Sequence, residues 1–365
     1  MCIRDSIAII GAGAVGLSIA KFAAEKGKKV LVLDQESRAG EGVSSRNSGV
    51  IHAGMYYPKE SLKTKFCVEG NRMLYEYAEL KKISHKKTGK FIVASHKNEL
   101  ANLEKIFLQG NSNGVSLKKC SLEEIKKKEP ELDIAGALFS PETGIIDVPE
   151  LITSLEGDIQ HHDGVVSFNT NFLSAKRNGN VFLIKCSDGS EFEIETSILI
   201  NSAGLGSENV SSNISALKKE FTHKIYFAKG HYFKYSGINP FDSLIYPLPS
   251  ESSQGLHVGF DISRQLRFGP DIAWVDEIDY VFDESLKEKF VCSIHNYWPG
   301  MEPERLHPDY CGIRPKIQKP SEKMQDFSIQ FPKDHKIEGF INLQGIESPG
   351  ITSSLAIGKY VSSMI

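Results

Sequence analysis

The start of the chain alternates between apolar runs and glycine-rich or charged segments. Residues 7–10 and residues 30–33 each have the length and the aliphatic composition of a buried strand. Between them, residues 17–25 place apolar side chains at helical spacing. The pattern therefore predicts a strand, a helix and a second strand, which together form the repeating unit of a parallel sheet.

Three glycines and one acidic residue occupy the positions at which such a unit binds a dinucleotide. Gly11 allows the tight turn after the first strand, and Gly13 lets backbone N–H groups approach a pyrophosphate. Gly16 permits close packing of the helix on the sheet, and Asp34 can accept hydrogen bonds from a ribose. The N-terminus of the helix adds partial positive charge for the phosphates. The motif predicts a dinucleotide site, which either FAD or a nicotinamide cofactor would fit.

The rest of the chain is predicted to combine helices with a long β-rich block. Helices are expected at 62–80, 98–111 and 353–364, and a surface helix at 121–130, where Ser121 and Glu124 form a capping-box pattern. Strands are expected at 88–95, 165–172, 181–186, 191–200, 230–235, 244–249, 256–260 and 339–343, with turns at Asn178-Gly179 and Asp188-Gly189. A nucleotide-type unit opens the chain and a glycine-rich strand–turn–helix closes it. We therefore expect both ends to share a cofactor domain and the middle to supply a substrate domain.

Composition and charge narrow the classes of function. At 365 residues the chain is long enough for two domains, and its net charge of −3 argues against a nucleic-acid binder. The six cysteines form no C-x-x-C pair, so no metal site is predicted and a reducing cytoplasm is expected. No apolar run is long enough to span a membrane, so any contact with the inner membrane would be peripheral. Residues 1–6 fit none of these patterns, and we do not expect them to reflect the native start.

Residues 42–57 are too polar and glycine-rich for a core strand, yet too regularly patterned for a plain loop. Their small hydroxyl and amide side chains can contact phosphates or a flavin ring at close range. The alternative is an ordinary loop and helix start in which Ser44 is an N-cap. Residues 196–204 form a buried strand that ends in small residues, and such an ending lets the backbone pass close to a cofactor.

Five stretches of the sequence are more distinctive than the glycine motif alone. They are 47–57 (Asn-Ser-Gly-Val-Ile-His-Ala-Gly-Met-Tyr-Tyr), 58–63 with Cys67 and Gly70, 268–270 (Phe-Gly-Pro), 312–315 (Gly-Ile-Arg-Pro) and 347–354 (Glu-Ser-Pro-Gly-Ile-Thr-Ser-Ser). Together they resemble the D-amino-acid-oxidase-like superfamily of FAD-dependent oxidoreductases, and within it the L-2-hydroxyglutarate dehydrogenase group. The resemblance extends from Ile7 to the last helix.

The resemblance implies an α/β fold with a Rossmann-like FAD-binding domain of the glutathione-reductase type, made of residues 1–80, 145–220 and 335–365. A β-rich, mixed α+β substrate or cap domain would comprise residues 81–144 and 221–334. FAD would lie along the first glycine-rich turn, with its adenine near Phe172 and its isoalloxazine near residues 345–351. The expected FAD-binding residues are Gly11, Gly13, Ala14, Val15, Gly16, Asp34, Gln35, Ser44, Ser45, Asn47, Ser48, Phe172, Ala203, Gly204, Gly345, Ser348, Pro349, Gly350 and Ile351.

Oxidation of a 2-hydroxy acid needs an anchor for the carboxylate, a base for the hydroxyl proton and a hydride acceptor, which the flavin N5 provides. Arg314 is the expected anchor, because a guanidinium matches a carboxylate with two parallel hydrogen bonds. Superfamily relatives place an arginine of the same Gly-x-Arg-Pro context against the substrate acid. A surface or salt-bridged arginine is the alternative. His52 is the expected base, since an imidazole has a pKa of about 6.5; a buried histidine bonded to a backbone carbonyl is the alternative.

Other polar residues are weaker candidates. Tyr56, Tyr232 and Tyr246 are candidate hydroxyl donors, and of these Tyr56 and Tyr246 are predicted to be catalytic. His231 and His257 can line the cleft but are expected to be structural. A second substrate carboxylate would need its own clamp, for which Lys63, Lys234 and Lys316 are candidates that the sequence does not rank.

The predicted function is FAD-dependent oxidation of a small 2-hydroxy acid, with L-2-hydroxyglutarate as the leading substrate and 2-oxoglutarate as the product. Oxygen, a quinone or an electron-transfer protein would accept the electrons. An amine or amino-acid oxidase of the same superfamily and a non-catalytic flavoprotein subunit are the alternatives. Related glycerol-3-phosphate dehydrogenases have an arginine where this chain has Met55, which counts against a phosphate substrate. An NAD-dependent dehydrogenase is disfavoured, because the C-terminal return would have no role in it.

Overall fold

The computed structural model describes residues 6–248 and 255–365. Within these ranges the helices are α1 (Ala14–Glu25), α2 (Leu62–Lys81), α3 (Leu100–Ser112), α4 (Leu122–Lys128), α5 (Val148–His161), α6 (Ser207–Ser212), α7 (Lys287–His295), α8 (Pro332–His335) and α9 (Gly350–Ser362). The first strands are β1 (Ser6–Ile10), β2 (Lys29–Leu33), β3 (Val50–Ile51), β4 (His85–Lys86), β5 (Lys90–Ala94), β6 (Lys118–Cys120), β7 (Gly136–Ser140), β8 (Gly144–Ile146), β9 (Val165–Ser167) and β10 (Asn171–Asn178). They are followed by β11 (Val181–Ser187), β12 (Glu191–Thr196), β13 (Ile198–Asn201), β14 (Tyr226–Tyr235), β15 (Leu244–Pro247), β16 (Val258–Phe260), β17 (Leu266–Phe268), β18 (Ala273–Val275), β19 (Leu306–Lys316), β20 (Ser328–Gln330) and β21 (Phe340–Gln344). Two predictions reach outside the described residues. One predicted strand ends at Pro249, and residues 1–5 belong to the segment that we do not expect to reflect the native start.

One sheet has six strands in the order β20-β21-β13-β1-β2-β9. All its neighbours pair in parallel except β20, which runs antiparallel to β21. The side chains of β1 are all buried, as expected for a parallel strand covered on both faces. Ile7 and Ile9 pack into a core that also contains residues of α1, α2, α5 and α9, whereas Ala8 and Ile10 pack into a core that reaches the antiparallel sheet β10-β11-β12.

A second large sheet has the order β18-β14-β17-β16-β15-β5-β7-β6, with β19 paired to β14. Its pairs are antiparallel except β15 with β5, which run in parallel. Aromatic residues dominate the core on one of its faces, among them Phe233, Phe268, Phe290 and Trp298. A Rossmann-like parallel sheet combined with a β-rich, mixed α+β part is the predicted fold class. A small sheet, β3-β8-β4, completes the set described.

The predicted helices and hairpin turns are confirmed, with bounds that shift by a few residues. The capping box at the start of α4 is present, because Ser121 Oγ accepts from the Glu124 N–H at 3.2 Å and Glu124 Oε2 accepts from the Ser121 N–H at 2.7 Å. The hairpins β10–β11 and β11–β12 turn at the two predicted Asn-Gly and Asp-Gly pairs.

Two predicted strands are wrong as continuous elements. Residues 165–172 divide into β9, in the six-stranded sheet, and the start of β10, in the three-stranded sheet. Residues 191–200 divide at Ser197 into β12 and β13, which belong to different sheets. The Thr196 hydroxyl donates to the Ser6 carbonyl at 2.8 Å and so holds the chain where it changes sheets. Periodicity cannot locate such a change, because the apolar pattern continues through it.

Candidate active site

A cavity of about 850 Å³ is lined by residues from both large sheets. Gly11, Asp34, Ala203 and Gly345 line it from the carboxyl ends of four parallel strands, β1, β2, β13 and β21. Residues of the β-rich sheet form a further part of its wall, namely Gly230, Tyr232, Tyr246 and Arg314. Open α/β sheets bind their ligands at the carboxyl ends of the strands, and this volume suits a cofactor with a small substrate.

The turn between β1 and α1 is built so that only glycine fits at two positions. Gly11 has φ +105°, and a Cβ there would lie 2.6 Å from the Ser202 carbonyl oxygen. A Cβ on Gly16 would lie 2.0 Å from the Gly11 carbonyl oxygen. The first turn of α1 carries no acidic residue, and Gly13, Ala14 and Val15 line the cavity. The N-terminus of α1 is therefore a cradle that fits a diphosphate.

Asp34 connects the end of β2 to this turn. Its Oδ2 accepts from the Ala12 N–H at 2.5 Å, and its Oδ1 accepts from the Glu36 N–H at 2.9 Å. Burial raises the pKa of the Asp34 carboxyl above its ordinary value, although these two N–H donors act to lower it. Gln35 and Phe172 line the cavity beside it. The arrangement places a carboxylate at the cavity wall, where it can accept from a ribose.

Residues 43–48 cross over the same turn. Ser44 Oγ accepts from the Ala14 N–H at 3.0 Å, and Asn47 Nδ2 donates to the Ser44 carbonyl at 2.6 Å. The Tyr310 hydroxyl donates to the Asn47 carbonyl at 2.6 Å, which ties the segment to β19. Ser44, Asn47 and Ser48 line the cavity, whereas the Ser45 hydroxyl donates to the Glu41 carbonyl at 2.7 Å and Ser45 does not line it.

The turn from Gly345 to Gly350 also lines the cavity. Within it, Glu347 Oε1 accepts from Lys63 Nζ and from Lys316 Nζ, both at 2.7 Å. Burial raises the pKa of Glu347, but the two ammonium groups outweigh it and bring the pKa below its ordinary value. This buried triad carries one more positive than negative charge next to the residues that line the cavity.

The same triad removes two of the lysines that were candidates for a second carboxylate clamp. Lys63 and Lys316 are committed to Glu347, and neither lines the cavity. Lys234 is exposed on β14 and also does not line it. The prediction of a clamp among these three lysines is therefore wrong, because their spacing along the chain does not reveal which carboxylate each one meets.

Arg314 lies on β19 opposite Ala228 and reaches the cavity. Its Nη2 donates to the Asp271 carbonyl oxygen at 2.7 Å. No carboxylate within residues 6–248 and 255–365 forms an ion pair with it. A guanidinium oriented by a backbone oxygen, with no counter-ion in the described structure, is suited to bind an anionic ligand.

His52 follows β3, and its backbone is held from two sides. Its N–H donates to Thr352 Oγ1 at 3.0 Å, and its carbonyl accepts from Asn71 Nδ2 at 2.9 Å. The imidazole lines the cavity and makes no hydrogen bond to any residue that the structure describes. Burial, and then the nearby Lys90 ammonium, lower the pKa of His52 to about 3. The imidazole is therefore neutral at physiological pH and can accept a proton.

Two further residues flank Tyr246: His257, which the sequence indicated could line the cleft in a structural role, and Lys90, which the sequence did not single out. His257 lines the cavity and stacks on the Tyr246 ring, with centroids 3.6 Å apart and planes 7° apart. Lys90 is fully buried on β5, with its Nζ 4.3 Å from the centre of the Tyr246 ring. Burial lowers the pKa of Lys90 to about 7. In the sequence, Lys90 is simply the polar residue at the start of an apolar strand.

The structure brings most of the predicted site residues to one cavity. Those that line it are His52, Arg314, Tyr246, Gly11, Gly13, Ala14, Val15, Asp34, Gln35, Ser44, Asn47, Ser48, Phe172, Ala203, Gly204, Gly345, Ser348, Pro349, Gly350 and Ile351. Tyr56, Gly16 and Ser45 do not. Tyr56 is 38% exposed, and its ring packs against Lys90 Nζ at 4.7 Å.

Met55 is buried in an apolar cluster with Val115 and Leu117, and it does not line the cavity. Its side chain therefore gives no structural argument for or against a phosphate substrate.

Comparison with known proteins establishes the family. Residues 6–364 match the FAD dependent oxidoreductase family. The chain belongs to this family. FAD is accordingly its cofactor, as predicted, and the cradle at the N-terminus of α1 fits the diphosphate of that cofactor.

This FAD dependent oxidoreductase is similar in sequence to two dehydrogenases and in fold to a glycerophosphate oxidase. It is 36% identical over 401 residues to the mitochondrial L-2-hydroxyglutarate dehydrogenase of Arabidopsis thaliana, which covers 99% of this chain and 83% of the relative. It is 28% identical to a glycerol 3-phosphate dehydrogenase of Caloramator mitchellensis, over 98% of this chain and 73% of the relative. Its fold matches the L-alpha-glycerophosphate oxidase of Mycoplasma pneumoniae with FAD bound, at a TM-score of 0.87 and 19% identity, over 100% of this chain and 95% of that one. The last match confirms the predicted fold class.

Two kinds of feature are absent from the described residues. No helix within them combines the length and the apolar character that crossing a membrane requires. No three His, Cys, Asp or Glu side chains among them are grouped as metal ligands would be.

Proposed function

We propose that this FAD dependent oxidoreductase oxidises L-2-hydroxyglutarate to 2-oxoglutarate. The observation that carries the proposal is the pairing, in one cavity, of Arg314 without a described counter-ion and His52 with an unpaired, neutral imidazole. The first requires an anionic ligand, and the second requires a group that gives up a proton. A 2-hydroxy acid has both. The 36% identity to an L-2-hydroxyglutarate dehydrogenase supports the choice of this acid.

Each side chain has a defined part in the reaction. The Arg314 fork binds the carboxylate next to the hydroxyl-bearing carbon with two parallel hydrogen bonds. The His52 imidazole accepts the hydroxyl proton, and the electron pair of the O–H bond becomes the second bond of the new carbonyl. The hydrogen on Cα leaves with its electron pair as hydride. Bound FAD supplies the hydride acceptor. The product is the 2-oxo acid, with the proton on His52.

FAD would be held by the wall that follows the parallel strands. The N-terminus of α1 with Gly11 and Gly13 would hold the diphosphate, and Asp34 the ribose. Residues 345–351 would contact the isoalloxazine end. On this basis residues 1–80, 145–220 and 335–365 would form the FAD-binding domain, and residues 81–144 and 221–334 the substrate domain. One strand of the second range, β20, pairs with β21 of the six-stranded sheet.

We propose that the electron acceptor is oxygen, a quinone or an electron-transfer protein. We propose that the protein itself is cytoplasmic or peripheral to the inner membrane. Reoxidation of the substrate-reduced protein by each of the three, followed separately, identifies the acceptor, because only a competent one restores the oxidised spectrum at a rate that supports turnover.

The test of the reaction is anaerobic bleaching of the flavin absorbance near ~450 nm by candidate substrates. L-2-Hydroxyglutarate is compared with D-2-hydroxyglutarate, L-lactate, glycerol 3-phosphate and glycine. Bleaching by the L-2-hydroxy acid in preference to the others is expected. Bleaching only by glycine would assign the protein to the amine oxidases. Bleaching only by glycerol 3-phosphate would assign it to the enzymes that oxidise glycerol 3-phosphate. A protein that holds no flavin would contradict the enzyme assignment itself.

A further inference from the structure

Lys90 is a buried cation without a hydrogen-bond partner. Its side chain is fully enclosed on β5, and its Nζ meets no acceptor among the residues that the structure describes. Burial of an ammonium group without a partner is unfavourable, and proteins that retain such a group usually do so for function. The reaction proposed above makes no use of it.

The Lys90 ammonium lies one aromatic ring behind the cavity wall. Its Nζ is 4.3 Å from the centre of the Tyr246 ring. The His257 imidazole stacks on the same ring, at 3.6 Å between centroids. Tyr246 and His257 both line the cavity, so the charge of Lys90 lies 4.3 Å from the centre of a ring that faces the ligand space. A charge at that depth acts in a medium of low dielectric constant, where its field reaches further than in water.

The titratable groups that face Lys90 from the neighbouring elements do not neutralise it. Burial raises the pKa of the Cys67 thiol on α2 to about 12. Burial lowers the pKa of His52 to about 3 and that of His257 well below its ordinary value, and the Lys90 charge adds to both shifts. Two phenols, Tyr56 and Tyr246, also face Lys90, and burial raises the pKa of the enclosed one, Tyr246. The groups around Lys90 are therefore neutral. Apart from the triad centred on Glu347, Arg314 and Lys90 are the cations that face this part of the cavity in the described structure.

Two positive charges without a described counter-ion match a ligand with two negative charges. Arg314 can offset one carboxylate. We propose that Lys90 is the specificity-determining residue that offsets the second carboxylate of the substrate, acting by its charge through the Tyr246 ring, and that it selects dicarboxylates over monocarboxylates of the same length. This inference rests on the proposed function, whose substrate is such a dicarboxylate.

The charge of Lys90 depends on pH near neutrality. Burial brings the pKa of Lys90 to about 7 in the protein without ligand. A second carboxylate favours the protonated amine, so its binding is coupled to proton uptake. Above pH 7 the amine is neutral before the ligand binds, and the advantage of a dicarboxylate declines. A ligand with one carboxylate does not show this decline, because it has no charge for Lys90 to offset.

The test compares two substrates that differ only in the second charge. They are L-2-hydroxyglutarate and its 5-amide, in which a neutral amide of the same shape replaces the second carboxylate. The Lys90→Met variant of the holoenzyme removes the ammonium and keeps the length of the side chain. We expect the ratio of kcat/KM for the acid to kcat/KM for the amide to fall about 10- to 100-fold in this variant. The Lys128→Met variant is the matched control, since Lys128 also lies over an aromatic ring, Phe139 at 3.8 Å, but is exposed.

Two measurements keep the test independent of folding. The melting temperature of Lys90→Met is expected to equal or exceed that of the parent protein, because the variant removes an unpartnered buried charge. In the parent protein, kcat/KM for the acid should decline above pH 7 while kcat/KM for the amide does not. An unchanged ratio in Lys90→Met, or identical pH profiles for the two substrates, overturns the inference while the proposed function stands. Failure of the parent protein to oxidise either substrate overturns both.

Discussion

The Arg314 guanidinium donates from Nη2 to the backbone carbonyl oxygen of Asp271, at 2.7 Å. The carboxylate of Asp271 does not reach Arg314, because its Oδ1 accepts from the His231 N–H at 2.7 Å and lies 2.9 Å from His231 Nδ1. Arg314 is thus oriented by a neutral oxygen, and its charge remains for a ligand. An anchor built in this way holds its direction without an internal ion pair that a substrate would have to displace.

Replacement of this anchor should act on substrate and leave the cofactor in place. In Arg314→Ala we expect KM to rise and kcat/KM to fall by an amount equivalent to ~2–5 kcal/mol, because the substrate carboxylate loses a desolvated partner. The kcat/KM of Arg314→Lys should lie between that of the parent protein and that of Arg314→Ala, because lysine keeps the positive charge but cannot form two parallel hydrogen bonds. Steady-state kinetics with the flavin content of each variant provide the measurement. Arg72→Ala, at an exposed position of α2, is the control. Parent-like kinetics in Arg314→Ala would remove Arg314 from the site.

His52 should control the rate of the chemical step. In His52→Ala we expect kcat to fall by ~10²–10⁴ with FAD retained, because the base for the hydroxyl proton is lost. His161→Ala, at the exposed end of α5, is the control. A normal kcat in His52→Ala would show that another group takes the proton.

The pH profile tests the same residue without mutation. Protonated His52 cannot accept a proton, and its pKa is lowered from 6.5 to about 3. The acid limb of kcat/KM, which reports the protein without substrate, should therefore lie well below pH 6.5. A limb centred near 6.5 would mean that the functional base is an ordinary exposed imidazole.

Gly16 should be required for the cofactor cradle. A Cβ at this position would lie 2.0 Å from the Gly11 carbonyl oxygen, so Gly16→Ala must displace α1 or the turn. We expect it to lower both the melting temperature and the flavin content. Gly157→Ala on α5 is the matched control, because a Cβ there meets no described atom within 4 Å. That variant should gain about 0.5–1 kcal/mol from its higher helix propensity. Full flavin content in Gly16→Ala would argue against the cradle.

The buried triad should stabilise the fold through its carboxylate. Glu347→Gln leaves two buried ammonium groups without a counter-charge and should lower the free energy of unfolding by ~3–5 kcal/mol. Lys63→Met leaves the Lys316–Glu347 ion pair intact and should lower the free energy of unfolding by less. Because the pKa of Glu347 is lowered in the folded protein, its stabilisation is present above its ordinary value of 4.5 and is lost as the pH falls through the folded value. Urea unfolding of the parent and the Gln variant should therefore differ most at neutral pH, and a difference that does not narrow in acid would contradict this account.

The local parts of the cofactor site were determined by the sequence. The strand–turn–helix at residues 6–25 depends on apolar periodicity and on two glycines, and the steric reason for each glycine lies in contacts at the same turn or at the end of the adjacent strand. The segment 44–48 was predicted from its small hydroxyl and amide side chains. The turn 345–350 is glycine-rich in the sequence, and its place beside the cofactor followed from the family resemblance. Such features need only the nearest neighbours along the chain or in the sheet.

The charges at the substrate end were decided by tertiary structure alone. Lys90 is buried behind Tyr246 because β5 pairs in parallel with β15, a contact between strands far apart in the chain. Lys63 and Lys316 meet on Glu347 for the same kind of reason, since they come from α2, β19 and the turn before α9. In the sequence each lysine is a polar residue that any surface would accept. Whether its charge meets water, a carboxylate or an aromatic ring depends on which distant elements pack around it, and that is fixed only when the sheets come together.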